Sequence, residues 1–195
     1  AELIDDTTRA VVAVHYAGVA CDLPGLRAVL ADHPRVDLIE DNAHGLFGRL
    51  DGRALGGFGR MSAVSFHATK SFTCGEGGAL VLNDGGLAER AEIIREKGTN
   101  RSRFYRGQID KYTWVDVGSS YLPSDLLSAV LTAQLEDADA IQAPRHAVWA
   151  RYHDVANTFS LELPAQPVQA PEPQPSLLAK LGARDYGVIW QPIVN

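Results

Sequence analysis

Short apolar, β-branched runs alternate along this chain with amphipathic stretches and turn residues, a pattern that predicts strands and helices in succession. Residues 8 to 15 contain Ala10-Val11-Val12-Ala13-Val14, a run of strand length with no polar face, as in a strand inside a parallel sheet. Tyr16-Ala17-Gly18 ends it. A helical pattern then begins at Pro24 and continues through Leu26, Val29 and Leu30, with Asp22 placed to cap it and His33-Pro34 to stop it. Residues 36 to 40 form the next strand. Such a strand-helix-strand unit implies a parallel sheet. Asp41 and His44 follow its second strand, at the carboxyl end where open α/β sheets bind ligands.

Residues 45 to 60 hold six glycines and few apolar residues in register. They read either as a phosphate-cradling loop, without the spacing of a nucleotide-binding motif, or as a structural hairpin. Residues 61 to 66 are the next strand. Gly75, Gly77 and Gly78 are turn residues, and residues 79 to 82 form another strand. Residues 87 to 97 predict an amphipathic helix ending at Gly98. From 99 to 121 periodicity is lost. A helix starts at Pro123 with Leu126, Leu127, Val130, Leu131 and Leu135 on one side, and a second is expected over residues 143 to 159. Five prolines within residues 163 to 175 predict a stiff linker. Residues 176 to 181 are expected to form one or two helical turns, and residues 186 to 194 a strand.

One lysine stands out. Ser65-Phe66-His67-Ala68-Thr69-Lys70 runs from a strand into the glycine turn, so Lys70 sits on irregular backbone among Phe66, Phe72 and Thr69. Lost hydration there disfavours the ammonium form and frees the amine for Schiff-base chemistry; the alternative is a surface lysine in a loop. Asp41 is an anion that suits the pyridine nitrogen of pyridoxal 5'-phosphate (PLP), whose protonated ring stabilises a carbanion. It reads equally as a turn acid or helix cap. His67 alternates with Ser65 along the strand, and is either a site residue or a packed or solvent-facing one.

Composition narrows the choice. With 195 residues, 46% of them hydrophobic, the chain supports one substantial core. A formal charge of -6 without a concentrated basic stretch argues against a nucleic-acid partner. Arg101, Arg103 and Arg106, interleaved with Phe104 and Tyr105, are the only local basic cluster; they suit RNA or the diphosphate of a sugar nucleotide, or form a solvated loop. Two cysteines give no disulfide framework or metal spacing. No signal peptide or membrane span is evident, so a cytoplasmic protein with no membrane partner is expected.

The segments Val14-His15-Tyr16-Ala17-Gly18, Ile39-Glu40-Asp41-Asn42-Ala43-His44, Gly52-Arg53-Ala54-Leu55-Gly56, Ser65-Phe66-His67-Ala68-Thr69-Lys70 and Gly75-Glu76-Gly77-Gly78 resemble, in order and spacing, the nucleotide-sugar aminotransferases of the DegT/DnrJ/EryC/StrS family. The stretch from Arg90 to Ser102, with Asp110 to Trp114 and Gly118 to Leu122, is similar to one branch, the dTDP-4-amino-4,6-dideoxygalactose transaminases. The resemblance implies an α/β large domain of the PLP aminotransferase fold type I, mostly parallel and truncated here. Residues 1–140 would be its centre, 141–163 a connecting helix, 164–175 a linker and 176–195 a remnant of the small domain. It further implies Lys70 as the Schiff-base lysine, Asp41 at the pyridine nitrogen, His44 at the 3-hydroxyl side and Ser65 at the phosphate. His67, Arg101, Arg103, Tyr105, Arg106, Lys111 and Tyr112 would face the substrate. Glutamate would donate nitrogen to a nucleotide-linked 4-keto-6-deoxy sugar, in a homodimer. The family's upstream phosphate-binding helix and ring-stacking aromatic are not recognisable here, so weak PLP binding, association through an uncovered strand and a non-catalytic remnant or interaction module form the alternative expectation.

Overall fold

The computed structural model describes residues 2–149 and the strand segments Tyr152–Val155, Thr158–Leu161, Pro167–Gln169, Ser176–Leu181 and Arg184–Ile189. The chain divides into two units, Ala1–Glu136 and Asp137–Asn195. In the first, β1 (Ala10–Val14) leads through a tight turn, Tyr16–Gly18, into α1 (Leu23–Ala31). The Asp22 carboxylate caps α1 by accepting the Gly25 N–H at 2.9 Å, and Leu23 at its start is fully buried. β2 (Asp37–Asp41) then pairs parallel with β1, Val14 opposite Asp41.

The glycine-rich connection is a hairpin, β3 (Arg49–Leu50) and β4 (Arg53–Ala54). Asp51 and Gly52 at its tip have φ of 50° and 79°, the signs that a two-residue turn between right-twisted strands requires. β5 (Met61–Ser65) joins β2 in parallel, and β6 (Gly78–Leu82) closes the sheet antiparallel to β5, giving the order β1-β2-β5-β6. The sheet is therefore mostly parallel, as expected.

Two apolar clusters hold it. Ala13, Leu23, Leu38 and Leu55 form one between α1, β1, β2 and the hairpin. Val64, Phe66 and Cys74 form the other, covered in part by Leu127 and Leu131. Those leucines belong to α4 (Asp125–Glu136), which follows α2 (Ala88–Arg95) and α3 (Arg101–Tyr105). Burial is one-sided at the edges of the sheet: Val12 and Val14 in β1 and Leu80 and Val81 in β6 remain exposed.

The segment 99–121 is more ordered than its lack of periodicity suggests. It contains α3, and the Gly98 carbonyl accepts N–H groups from both Val115 and Asp116. Gly98 adopts φ 73°, and a Cβ there would overlap the Asp116 carbonyl, so only glycine permits this close approach.

In the second unit, α5 (Ala138–Trp149) replaces the helix expected over 143 to 159. Pro144, which favours a first helical turn, lies within it. Beyond it, residues rich in Tyr, Val, Thr and Phe pair antiparallel as β7 (Tyr152–Val155) and β8 (Thr158–Leu161), a preference for extended backbone that the helical reading overlooked. β9 (Pro167–Gln169), β10 (Ser176–Leu181) and β11 (Arg184–Ile189) form a sheet of order β11-β10-β9. Residues 176 to 181 are thus a strand and not helical turns; a short apolar run fits either, and pairing with β11 decides it. The strand expected over 186 to 194 runs instead from Arg184 to Ile189, and the rest of that range lies outside the described residues, as does most of the proline-rich linker. Among the described residues no helix is long and apolar enough to cross a membrane.

Candidate active site

The carboxyl ends of β1, β2 and β5 open into one cleft of about 220 Å³, lined among others by Ala43, His44, Ser65, Thr69, Lys70 and Phe72. Each group arrives there because a strand has just ended. Ser65 is the last residue of β5, paired with Gly78, and its Oγ accepts the His67 N–H at 3.3 Å. Beyond it the chain stays tied to the approach of β6: Phe66 N–H donates to the Gly77 carbonyl and Ala68 N–H to the Gly75 carbonyl. Inside that closed turn, Lys70 N–H donates to the His67 carbonyl at 2.9 Å. The Lys70 side chain is half-buried, and among the described residues no hydrogen bond or ion pair holds its amine. Phe72, 1% exposed, braces the turn by meeting Phe47 edge-on at 5.1 Å.

Asp41 ends β2 half-buried, and its carboxylate accepts the Ala43 N–H at 3.1 Å. It does not itself line the cleft. His44 does: its Nδ1 accepts the Ala17 N–H at 3.0 Å, and the Tyr16 ring meets it edge-on at 5.4 Å. His67 turns elsewhere, with Nδ1 2.9 Å from the Thr69 hydroxyl and Nε2 3.6 Å from the Glu76 carboxylate.

The basic cluster is set apart from the lysine cleft. Arg106 makes a bidentate pair with Glu92 at 2.8 Å, and Arg103 reaches Glu89 at 3.3 Å. The Arg106 guanidinium holds the Glu92 carboxyl below its ordinary range. Arg101 hydrogen-bonds the Tyr105 hydroxyl, and its guanidinium lies 4.9 Å over the Tyr105 ring and 5.8 Å from that of Tyr112. Lys111 is exposed. None of these side chains lines the cleft around Lys70.

Sequence reasoning passed over the most buried polar pair. His15 and Glu40 are both fully buried, with Nε2 3.0 Å from the carboxylate. Glu40 also accepts the N–H groups of Gly56, Phe58 and Gly59 at 2.6 to 2.7 Å. Burial pushes its carboxyl up, but the hydrogen bonds from Gly59, His15, Gly56 and Phe58 together outweigh that and hold it below its ordinary range. The available signal was a polar residue in each of two adjoining strand segments, since a buried carboxylate requires partners. A larger cleft, about 450 Å³, lies around Asp5, Arg9, Asp32 and Arg35. It sits where β1 and β2 begin, the opposite end from the one at which such sheets bind ligands.

The sequence profile of the DegT/DnrJ/EryC1/StrS aminotransferase family matches residues 1–175. The chain belongs to this family. Solved structures agree with the assignment. The Helicobacter pylori aminotransferase PseC, involved in pseudoaminic acid biosynthesis, superposes with TM-score 0.69 at 27% identity, over 85% of this chain and 42% of its own. The 3-amino-5-hydroxybenzoic acid synthase gives 0.66 at 30% identity, over 75% and 37%. DesI, solved with its TDP-sugar product, gives 0.64 at 29% identity, over 87% and 40%. The chain thus spans about two fifths of the length of these DegT/DnrJ/EryC1/StrS relatives and shares their mostly parallel sheet.

Proposed function

We propose that this chain carries the lysine side of a PLP-dependent sugar aminotransferase site. The observation that carries the reading is Lys70: a primary amine with no partner among the described residues, in a cleft at the carboxyl ends of parallel strands, beside Ser65, Thr69 and His44. Those groups fit the cofactor, offering an amine for its aldehyde, hydroxyls for its phosphate and the half-buried side chain of Ala43 for its ring. When bound, PLP supplies the electron sink that stabilises negative charge at the substrate carbon. Lys70 then serves as the base that takes the proton from that carbon and returns it. Asp41 is the anion that keeps the pyridine nitrogen protonated, and Ser65 donates to the phosphate. His44 presents Nε2 to the 3-hydroxyl side, because its Nδ1 is occupied by Ala17.

The amino donor is glutamate and the acceptor a nucleotide-linked 4-keto-6-deoxy sugar, as in the dTDP-4-amino-4,6-dideoxygalactose transaminases. Support comes from DesI, solved with a TDP-sugar product, and from PseC. Arg101, Tyr105 and Tyr112, clustered on α3 and just beyond it, offer a charge and stacking faces for the nucleotide. Arg103, Arg106, Lys111 and His67 complete the assigned substrate contacts. Residues 1–140 are the central part of the cofactor domain, 141–163 its connection, 164–175 a linker and 176–195 part of the small domain. The exposed apolar residues of β1 and β6 favour a homodimer, and the free thiols Cys21 and Cys74 favour the cytoplasm.

The test is trapping: the chain is mixed with PLP, reduced with borohydride and digested. Label should concentrate on Lys70 over Lys97, Lys111 and Lys180. An even spread over the four lysines would sink the reading and leave the chain as a non-catalytic interaction module.

A further inference from the structure

We infer that the buried His15–Glu40 pair is a positioning device for the cofactor side of the cleft, acting through the turn at residues 16 to 18 to fix the ring of His44; this rests on reading the cleft as a PLP site. Neither residue lines the cleft. The argument starts at Glu40, whose Oε1 accepts the N–H groups of Phe58 and Gly59 and whose Oε2 accepts Gly56 N–H and faces His15 Nε2. His15 Nδ1 accepts the Cys21 N–H at 3.3 Å, so the ring proton resides on Nε2 and is donated to Glu40. Both edges of the imidazole are therefore committed, one to the glycine-rich connection through Glu40 and one to the segment that enters α1.

From this anchor the backbone continues to the cleft. His15 N–H donates to the Asp41 carbonyl at 3.0 Å, which locks the end of β1 onto the residue assigned to the pyridine nitrogen. The His15 carbonyl accepts the Gly18 N–H at 3.0 Å, closing a turn in which Ala17 has φ 55° and Gly18 φ 79°. A left-handed alanine persists only where its surroundings hold it. In that conformation the Ala17 N–H reaches His44 Nδ1 at 3.0 Å, which leaves the His44 proton on Nε2. Gly18 packs close as well: a Cβ on it would stand 3.2 Å from the His44 carbonyl. Glu40 orients His15, His15 closes the turn, and the turn sets the tautomer of His44.

The 195-residue chain, isotope-labelled and without cofactor, gives a direct readout in long-range imidazole nitrogen spectra. Wild type should show His44 with a bare Nδ1 and a protonated Nε2. In Glu40→Gln the amide NH2 must face at least one of the donors the carboxylate accepted, so the His44 signals should move toward the exchange-averaged position. PLP affinity by absorbance titration should fall roughly tenfold. Two isosteres separate positioning from bulk damage. His15→Gln keeps a donor near the Nε2 position and should retain the His44 tautomer, whereas His15→Asn leaves Glu40 without its side-chain partner and should lose it. Thermal melting checks that each variant folds. Unchanged His44 signals in folded Glu40→Gln, or identical His44 behaviour of His15→Gln and His15→Asn, would overturn the inference; the second comparison decides if Glu40→Gln does not fold. Wild-type chain that takes up no PLP would sink the cofactor reading alone, and the His44 spectra would still decide the positioning.

Discussion

Phe72 offers a sharp test of how packing supports the lysine turn, because it is buried two residues from Lys70 and lines the same cleft. Removing a buried phenylalanine ring costs about 3–5 kcal/mol. Roughly 0.5–1.5 kcal/mol of that belongs to the edge-on contact with Phe47, whose ring stands at 82° to that of Phe72. Two features move the expectation to the lower end. Phe47 is itself 51% exposed, and the space left by the ring would open to the cleft, where water can enter. Phe72→Ala should therefore cost about 3 kcal/mol, and Phe72→Leu, which keeps most of the volume but loses the aromatic contact, about 1 kcal/mol. Native-state amide exchange read at the paired residues of β5 and β6 measures these values locally. Borohydride trapping of PLP on the same variants should show Lys70 labelling falling with stability. A loss below about 1 kcal/mol in Phe72→Ala would refute the packing account, since that is the scale of an ordinary surface change. Full labelling of Lys70 in a strongly destabilised variant would show that the turn holds the lysine without the ring.

Acid should destabilise the first unit in part through Glu40. Its carboxyl lies below the ordinary 4.5 in the folded state, so its contribution is complete above that value and is lost as pH falls through the folded pKa, where the unfolded chain has already bound the proton. Asp84, held low by the Gly86 N–H and then by Arg60, acts in the same direction from the surface. Melting temperatures followed downward from neutral pH should decline below the carboxylate range in wild type and less steeply in Glu40→Gln; equal slopes would assign the acid limb to other groups. For the substrate, a nucleotide-linked 4-keto sugar should bind more tightly than the free sugar by calorimetry, and Arg101→Ala should erase about tenfold of that difference. Arg106→Ala should matter less, because its guanidinium is already committed to Glu92; the reverse ranking, or equal binding of the two sugars, would remove Arg101 from the site.

What the amino-acid sequence determined by itself is local and periodic. The apolar runs of β1, β2, β5 and β6, the Asp22 cap and the glycine turn after Lys70 all follow from the nature of neighbouring residues, and so does the order of the motifs that identifies the family; of the stripe expected on α4, Leu127 and Leu131 pack while Leu126, Val130 and Leu135 are exposed. The placement of Lys70, Ser65 and His44 around one cleft was legible too, since strand ends in a parallel sheet converge on one side. Tertiary structure decided the rest. Whether residues 152 to 155, 158 to 161 and 176 to 181 are helical or extended depended on pairing between strands, which a run read by itself does not reveal even when the partner is its neighbour in sequence. Whether Arg103 and Arg106 are free depended on α2 lying alongside α3. The His15–Glu40 pair joins the residue just after β1 to one within β2, and three of the Glu40 hydrogen bonds come from backbone N–H groups that carry no side-chain signature. A backbone donor is the same group at every residue but proline, so where it points becomes known only when the chain has folded around it.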